Sequence, residues 1–65
     1  MLANVQRAFV IQERDTGYFL SPELLPVRSL ARAGRCYSRE EAVTTAQMNL
    51  QGVDWEVHSF FELDP

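Results

Sequence analysis

Hydrophobic residues that favour β-strands are concentrated in residues 8–13, and in a strand their side chains point to two faces in turn. Phe9 and Ile11 fall on one face of this segment, and the residues between and after them fall on the other. Asp15 and Gly17 follow, and both are typical of a short turn, since aspartate bonds to the nearby backbone and glycine accepts a positive φ. A second apolar segment comes directly after this turn, so the sequence predicts a β-hairpin over residues 7–21.

Residues 22–37 show no regular period, and we predict an irregular stretch that ends in a short strand around Cys36. Two prolines four positions apart exclude a regular helix and a central strand from the beginning of this stretch. Gly34 favours a break before the short strand. Leu24 and Leu25 are expected to close one end of the hydrophobic core.

Residues 38–51 carry the signals of an α-helix. Ser38, with Glu41 three positions later, forms a capping box, in which each side chain accepts from a backbone N–H that the first turn leaves free. Gly52 is suited to end the helix, because glycine adopts the left-handed conformation common at that position. The apolar residues between these signals recur with helical spacing, and they are Ala42, Val43, Ala46 and Leu50.

Residues 54–63 alternate again and predict the last strand. Trp55 and Val57 are expected on the face that meets the core. Phe60 and Phe61 are adjacent, so they point to opposite faces unless a bulge intervenes. We therefore expect one of the two rings to be exposed or to lie at an interface.

Together these elements predict a small α+β domain. Its antiparallel sheet consists of the N-terminal hairpin, the short third segment and the C-terminal strand, and one amphipathic helix packs on one face. The opposite face of the sheet is expected to be open to solvent. The pattern leaves the order of the strands open.

Length and charge narrow the classes of function. A chain of 65 residues forms one domain, and a domain of this size buries only about 60% of the surface that its unfolded chain exposes. The net charge is −3 and there is no lysine, which disfavours nucleic acid as a partner. No segment is long and apolar enough to predict a membrane span. The single cysteine favours the reducing cytoplasm over a secreted, disulfide-bonded protein.

The sequence offers little to a metal site or to catalysis. Cys36 and His58 are the only residues of their types, and two such ligands cannot fill a cysteine–histidine zinc site. They would form a nucleophile–base pair if their strands were adjacent, but a single cysteine more often packs as a small apolar side chain. We therefore expect no metal, no cofactor and no enzymatic activity.

Function is then expected at the surface, through contact with a protein or protein complex. Aromatic side chains without a place in a one-sided core are typical anchors of interfaces. The candidate interface residues are Tyr18, Glu56, Phe60 and Glu62.

Two alternatives remain. The first is a small nucleic-acid-binding accessory protein that uses a basic surface, whose candidate residues are Arg28, Arg32, Arg35 and Arg39. The second is a structural or regulatory homodimer, in which an uncovered face or edge of the sheet pairs with a second copy.

The layout of the chain gives a further indication. An opening hairpin around Asp15-Thr16-Gly17-Tyr18 is followed by Ser29-Leu30-Ala31-Arg32-Ala33, by Tyr37-Ser38-Arg39-Glu40-Glu41-Ala42 and by a closing Trp55-Glu56-Val57. Over residues 8–63 this layout resembles small accessory proteins encoded by phages and prophages, of the host-takeover or anti-CRISPR type. The resemblance implies a non-enzymatic inhibitor that acts in the bacterial host cytoplasm by binding a host complex such as a defence system. It assigns a role to no individual residue.

Overall fold

The computed structural model describes residues 4–63, and it confirms the predicted α+β fold. One antiparallel sheet has the strand order β3-β2-β1-β4, and one α-helix packs on it. In chain order the elements of the described part are β1 (Val5–Glu13), β2 (Phe19–Leu20), β3 (Pro26–Val27), a 3-10 turn (Leu30–Arg32), α1 (Arg39–Asn49) and β4 (Trp55–Leu63).

The two long strands, β1 and β4, form the main part of the sheet. They pair antiparallel over nine residues each, from Val5 opposite Leu63 to Glu13 opposite Trp55, with a continuous register. On its other side β1 pairs with β2 through Gln12 and, nearer its beginning, with the isolated bridge residue Cys36. The first and last strands of the chain are therefore neighbours.

The hairpin from β1 to β2 turns where Gly17 adopts a φ of 76°. Its N–H donates to the carbonyl of Glu13 over 2.9 Å, and the N–H of Glu13 donates to the carbonyl of Tyr18 over 2.8 Å. The Gln12 side chain adds a bond to the Gly17 carbonyl over 2.9 Å. A residue with a Cβ would be strained at this φ, so the glycine lets the chain turn back within a few residues.

Helix α1 begins at the predicted cap. The Ser38 hydroxyl oxygen accepts from the N–H of Glu41 over 3.1 Å, and both Glu40 and Glu41 lie in the first turn. Ala42 and Ala46, one turn apart, are fully buried. Because these side chains are single methyl groups, the helix backbone can lie close to the sheet.

The face of the sheet under α1, here called the front face, carries the hydrophobic core. Phe9 and Ile11 of β1 pack there against Ala42 and Ala46. The partly buried side chains around this cluster are Leu20, Cys36, Leu50, Trp55 and Val57. Trp55 and Val57 thus lie on the core side, as the alternation predicts.

The opposite face, here called the back face, is not open as predicted. Ala8 and Val10 lie on it and are as well buried as the front core, and Ala33 is buried with them. The segment around the 3-10 turn passes over this face, where Leu30 lines a groove with Val10 and Phe60. The expectation of an open face was wrong because the irregular stretch folds back as a second cover.

Gly34 permits that return of the chain. A Cβ at this position would lie 3.0 Å from the backbone nitrogen of Pro22 and 3.2 Å from the carbonyl carbon of Ser21. The Gly34 N–H donates to the carbonyl of Leu20 over 2.9 Å, which ties the cover to the end of β2. The approach of the two backbones requires a residue without a side chain.

The proline-containing stretch forms the outer strand of the sheet. Pro26 lies in β3 at the sheet edge, where the missing N–H breaks no ladder. Leu24 adopts a φ of 66° in the preceding turn, and both Leu24 and Leu25 are exposed. Neither leucine belongs to the buried core, so that expectation was wrong, although Leu24 lines a groove beside Ile11 and Leu20.

Candidate protein-interaction surface

The structure brings together three of the four predicted interface residues. Glu56, Phe60 and Glu62 all lie on the back face of β4, opposite Gln12, Ala8 and Gln6 of β1, with His58 between Glu56 and Phe60. Tyr18 does not join them, because it lies beyond the β1–β2 turn and lines a groove with Ile11 and Leu50 on the front side.

Each of these residues already has a partner within the chain. Glu62 accepts from the Arg35 side chain over 3.4 Å, and the guanidinium of Arg35 lies 5.3 Å from the centre of the half-buried Phe60 ring. Glu56 lies 2.9 Å from the His58 ring nitrogen and 3.6 Å from Arg14. The same side chains therefore help to hold the cover on the back face and the beginning of β4.

The adjacent phenylalanines do point to opposite faces, and the exposed one is Phe61. Its side chain is 69% exposed on the front face, whereas Phe60 is half-buried under Arg35. Which ring is exposed depends on where the 3-10 turn and Arg35 lie, and the local alternation carries no information about that.

Phe61 belongs to a group of exposed apolar residues, of which sequence reasoning missed Val5 and Leu63. Val5 and Leu63 are directly opposite each other, and the next pair on the same face, two positions along the register, is Arg7 opposite Phe61. Val5 is 61% exposed and Leu63 is 67% exposed. Val5, Phe61 and Leu63 lie on the front face beyond the part that α1 covers, and we call these three residues the end patch.

Arginine side chains border the end patch. The Arg7 guanidinium lies 5.6 Å from the centre of the Phe9 ring and 5.8 Å from that of Phe61, and it donates to the Ser59 hydroxyl over 3.1 Å. Arg39, at the beginning of α1, lies 5.6 Å from the same Phe9 ring. The patch is thus apolar and aromatic with a cationic border, although the whole chain carries a net charge of −3.

The four arginines of the predicted basic surface do not follow one another on a single helix. Arg28 lies over the Tyr18 ring at 5.5 Å, and Arg39 lies on the front side over Phe9. Arg35 faces the back of the sheet, where it also donates to the carbonyls of Leu30 and Ala33. Arg32 is in the 3-10 turn between them, and Gly34 interrupts the stretch as expected.

The outer edge of β4 is a second feature of this region. The N–H groups of Phe9 and Glu13 donate away from β4, toward Cys36 and Tyr18. The N–H and C=O groups of successive residues point to opposite sides of a strand, and two residues directly opposite each other in an antiparallel pair point these groups either both inward or both outward. The β4 residues opposite Phe9 and its same-face neighbours in β1 therefore point their backbone groups away from β1. On β4 these outward residues are Trp55, Val57, Ser59, Phe61 and Leu63.

Cys36 is in an environment that keeps its thiol protonated. Burial raises the pKa of this thiol, and the charge of Glu41 and a hydrogen bond to it raise the pKa further. Thr45 acts in the opposite direction. Cys36 bridges to Phe9 on one side of β1, whereas His58 pairs with Val10 on the other side and on the other face.

Within residues 4–63, no three histidine, cysteine, aspartate or glutamate side chains come together as the ligands of a metal ion would. No helix in the same range has the length and apolar character needed to cross a membrane.

Comparisons with known proteins add nothing to this geometry. No protein-family model matches the chain, and no curated protein or solved structure matches it either.

Proposed function

We propose that this chain is a non-enzymatic protein-binding module that docks on its partner through the end patch. The observation that carries the proposal is the exposure of Val5, Phe61 and Leu63 side by side on one face of paired strands. Contiguous exposed apolar side chains are typical of interaction sites, and aromatic and arginine side chains contribute most of the binding energy at such sites.

The border of the patch defines the chemistry of the partner. Arg7 and Arg39 place two positive charges beside Phe9 and Phe61. A complementary surface therefore offers an apolar depression for the Phe61 ring and carboxylates around it, since opposite charges at an interface favour encounter and fix orientation.

The proposal also includes the target class. The layout over residues 8–63 resembles phage and prophage accessory proteins, and on that basis we propose that the partner is a bacterial host complex such as a defence system. The chain would inhibit this complex by occupying one of its contact surfaces in the host cytoplasm. No chemical step by the chain itself is part of this function.

Phe61→Asp tests the docking surface, with Met48→Asp as the matched control. Both side chains are exposed and apolar, but Met48 is on α1 and outside the end patch. Tagged chains are used to capture proteins from bacterial lysate, and retained proteins are quantified. We expect Phe61→Asp to reduce capture at least about tenfold and Met48→Asp to leave it unchanged. Equal capture by both variants would contradict the proposal.

The target class needs a functional assay. The chain is expressed in bacteria that carry a defence system, and the cells are challenged with a phage that the system restricts. We expect the wild-type chain to restore plaque formation and Phe61→Asp to fail to do so. Restriction that is unchanged by the wild-type chain, across strains with different defence systems, would reject this target class while leaving the docking surface intact.

The nucleic-acid alternative makes a different prediction. Binding through Arg28, Arg32 and Arg35 would retain the chain on heparin at physiological salt, and neutralising these residues would release it. The dispersal of these side chains over different parts of the molecule does not favour that function.

A further inference from the structure

The outer edge of β4 offers a strand a complete ladder of backbone partners. Trp55, Val57, Ser59, Phe61 and Leu63 turn their N–H and C=O groups outward, and β4 pairs on this side with no strand in residues 4–63. The strand is nine residues long, keeps a continuous register with β1, and contains neither proline nor lysine. Natural sheets usually protect their edges with such residues or with bulges, since a long regular edge pairs with another chain.

We propose that β4 pairs antiparallel with β4 of a second copy of this chain, with the two-fold axis at Phe60. The two four-stranded sheets then join into one sheet that runs through both copies. This inference goes beyond the proposed function, because it concerns the assembly of the chain and holds whatever the end patch binds.

The side chains of β4 select the second copy and this register. With the axis at Phe60, the His58 ring of each copy faces the Glu62 carboxylate of the other and can donate a hydrogen bond to it, so the same pair forms twice. The two Phe60 rings face each other on the same side of the sheet. On the front face, Leu63 of each copy faces Val57 of the other, which gives the exposed Leu63 an apolar neighbour.

The neighbouring registers are worse. With the axis at Ser59, Glu56 of each copy faces Glu62 of the other, and like charges directly opposite each other destabilise a sheet. With the axis at His58, Glu56 of each copy faces the Phe60 ring of the other, so both the histidine–carboxylate pairs and the facing rings are lost. With the axis at Phe61, Glu62 faces the apolar Phe60 and the ladder is shorter. The register with the axis at Phe60 therefore combines two histidine–carboxylate pairs, facing Phe60 rings and a ladder over residues 57–63 of each copy.

Dimerisation also changes the end patch. Phe61 of each copy faces Ser59 of the other, so the two Phe61 side chains become diagonal neighbours across the axis, about 7–8 Å apart. The two end patches then form one continuous apolar surface with arginines at both ends. A partner that binds this surface meets two copies of the chain.

The first test is the mass of the untagged chain by sedimentation equilibrium up to about 100 µM. We expect twice the monomer mass of 7.5 kDa for the wild type. Ser59→Pro removes an outward N–H at the middle of the edge, and we expect it to be monomeric. Ser59→Ala keeps the N–H and loses the same hydroxyl, and we expect it to remain a dimer. A monomeric wild type, or a Ser59→Pro variant that melts like the wild type and still dimerises, would overturn the proposal.

Disulfide cross-linking between introduced cysteines tests the proposed register, and it does not require a proline variant to fold. In a Cys36→Ser background, Phe60→Cys places a cysteine directly opposite the same cysteine of the second copy. The Cβ atoms of two directly opposite residues in an antiparallel pair lie within about 5.5 Å of each other. His58→Cys is the control, because it faces Glu62 and not itself. We expect mild oxidation to cross-link Phe60→Cys and to leave His58→Cys monomeric on a non-reducing gel. Preferential cross-linking of His58→Cys, or of neither variant, would overturn this register.

Discussion

The two halves of the β1–β4 pair differ in burial although they share the same strands and the same register. In one half, Phe9 and Ile11 are covered by the alanines of α1. In the other, the same face carries Val5, Phe61 and Leu63, and these side chains are mostly exposed. The alternation of residues determines on which face of the sheet a side chain lies. Whether that side chain is buried depends on how far α1 extends over the face. The covered half holds the fold together, and the bare half is free to contact another molecule.

The largest expected effect comes from truncating one side chain in each half. Ile11→Ala removes packing under α1 and should lower the free energy of unfolding by about 2–4 kcal/mol. Val5→Ala, its counterpart in the end patch, should change this free energy by less than about 0.5 kcal/mol. Urea denaturation followed by circular dichroism measures both. Similar losses in the two variants would mean that the end patch is part of the core and not a free surface.

A smaller effect is expected from enlarging a side chain at the helix–sheet contact. Ala46 is fully buried against the sheet, so Ala46→Leu should force the helix outward and destabilise the protein by about 1–3 kcal/mol. Gln47→Leu adds an apolar side chain on the exposed side of the same helix and should have an effect of less than about 0.5 kcal/mol. The same denaturation assay separates the two. An Ala46→Leu variant as stable as the wild type would show that the covered half is loosely packed.

The smallest expected effect concerns Cys36, which lies at the boundary between the two halves. Because the pKa of this thiol is raised in the folded state, the unfolded chain loses its proton first as the pH rises. The stabilisation from the neutral thiol is thus fully present below the ordinary thiol pKa and is lost above it. We expect the melting temperature to fall in this alkaline range, and to fall less in Cys36→Ser. The absence of lysine keeps other titrations few there, and an identical decline in both proteins would contradict the assignment.

Local patterns predicted the elements well where the cause is local. The Ser38 hydroxyl caps α1 as predicted, and Gly17 makes the turn for which it was singled out. The packing of α1 on the face of Phe9 and Ile11 also follows from the periods of the two elements.

The candidate site was harder to predict because its cause is long-range. Phe60 is covered only because Arg35, far away in sequence, folds over it and contacts Glu62. Phe61 and Leu63 are exposed because α1 ends its contact with the sheet before reaching them. The residues near these positions in sequence do not indicate that Phe60 is covered or that Phe61 and Leu63 are exposed. The apolar character of Val5 and Leu63, near the two ends of the chain, was an available signal.

The pairing of β1 with β4 has a consequence for folding kinetics. Contacts between the beginning and the end of a sequence require the closure of a long loop, and proteins rich in such contacts fold slowly for their size. We therefore expect the β1–β2 hairpin and α1 to form early and β4 to be added last. During that interval the edge of β1 that pairs with β4 is open, and a chain that meets another at this stage can exchange its last strand before its own arrives.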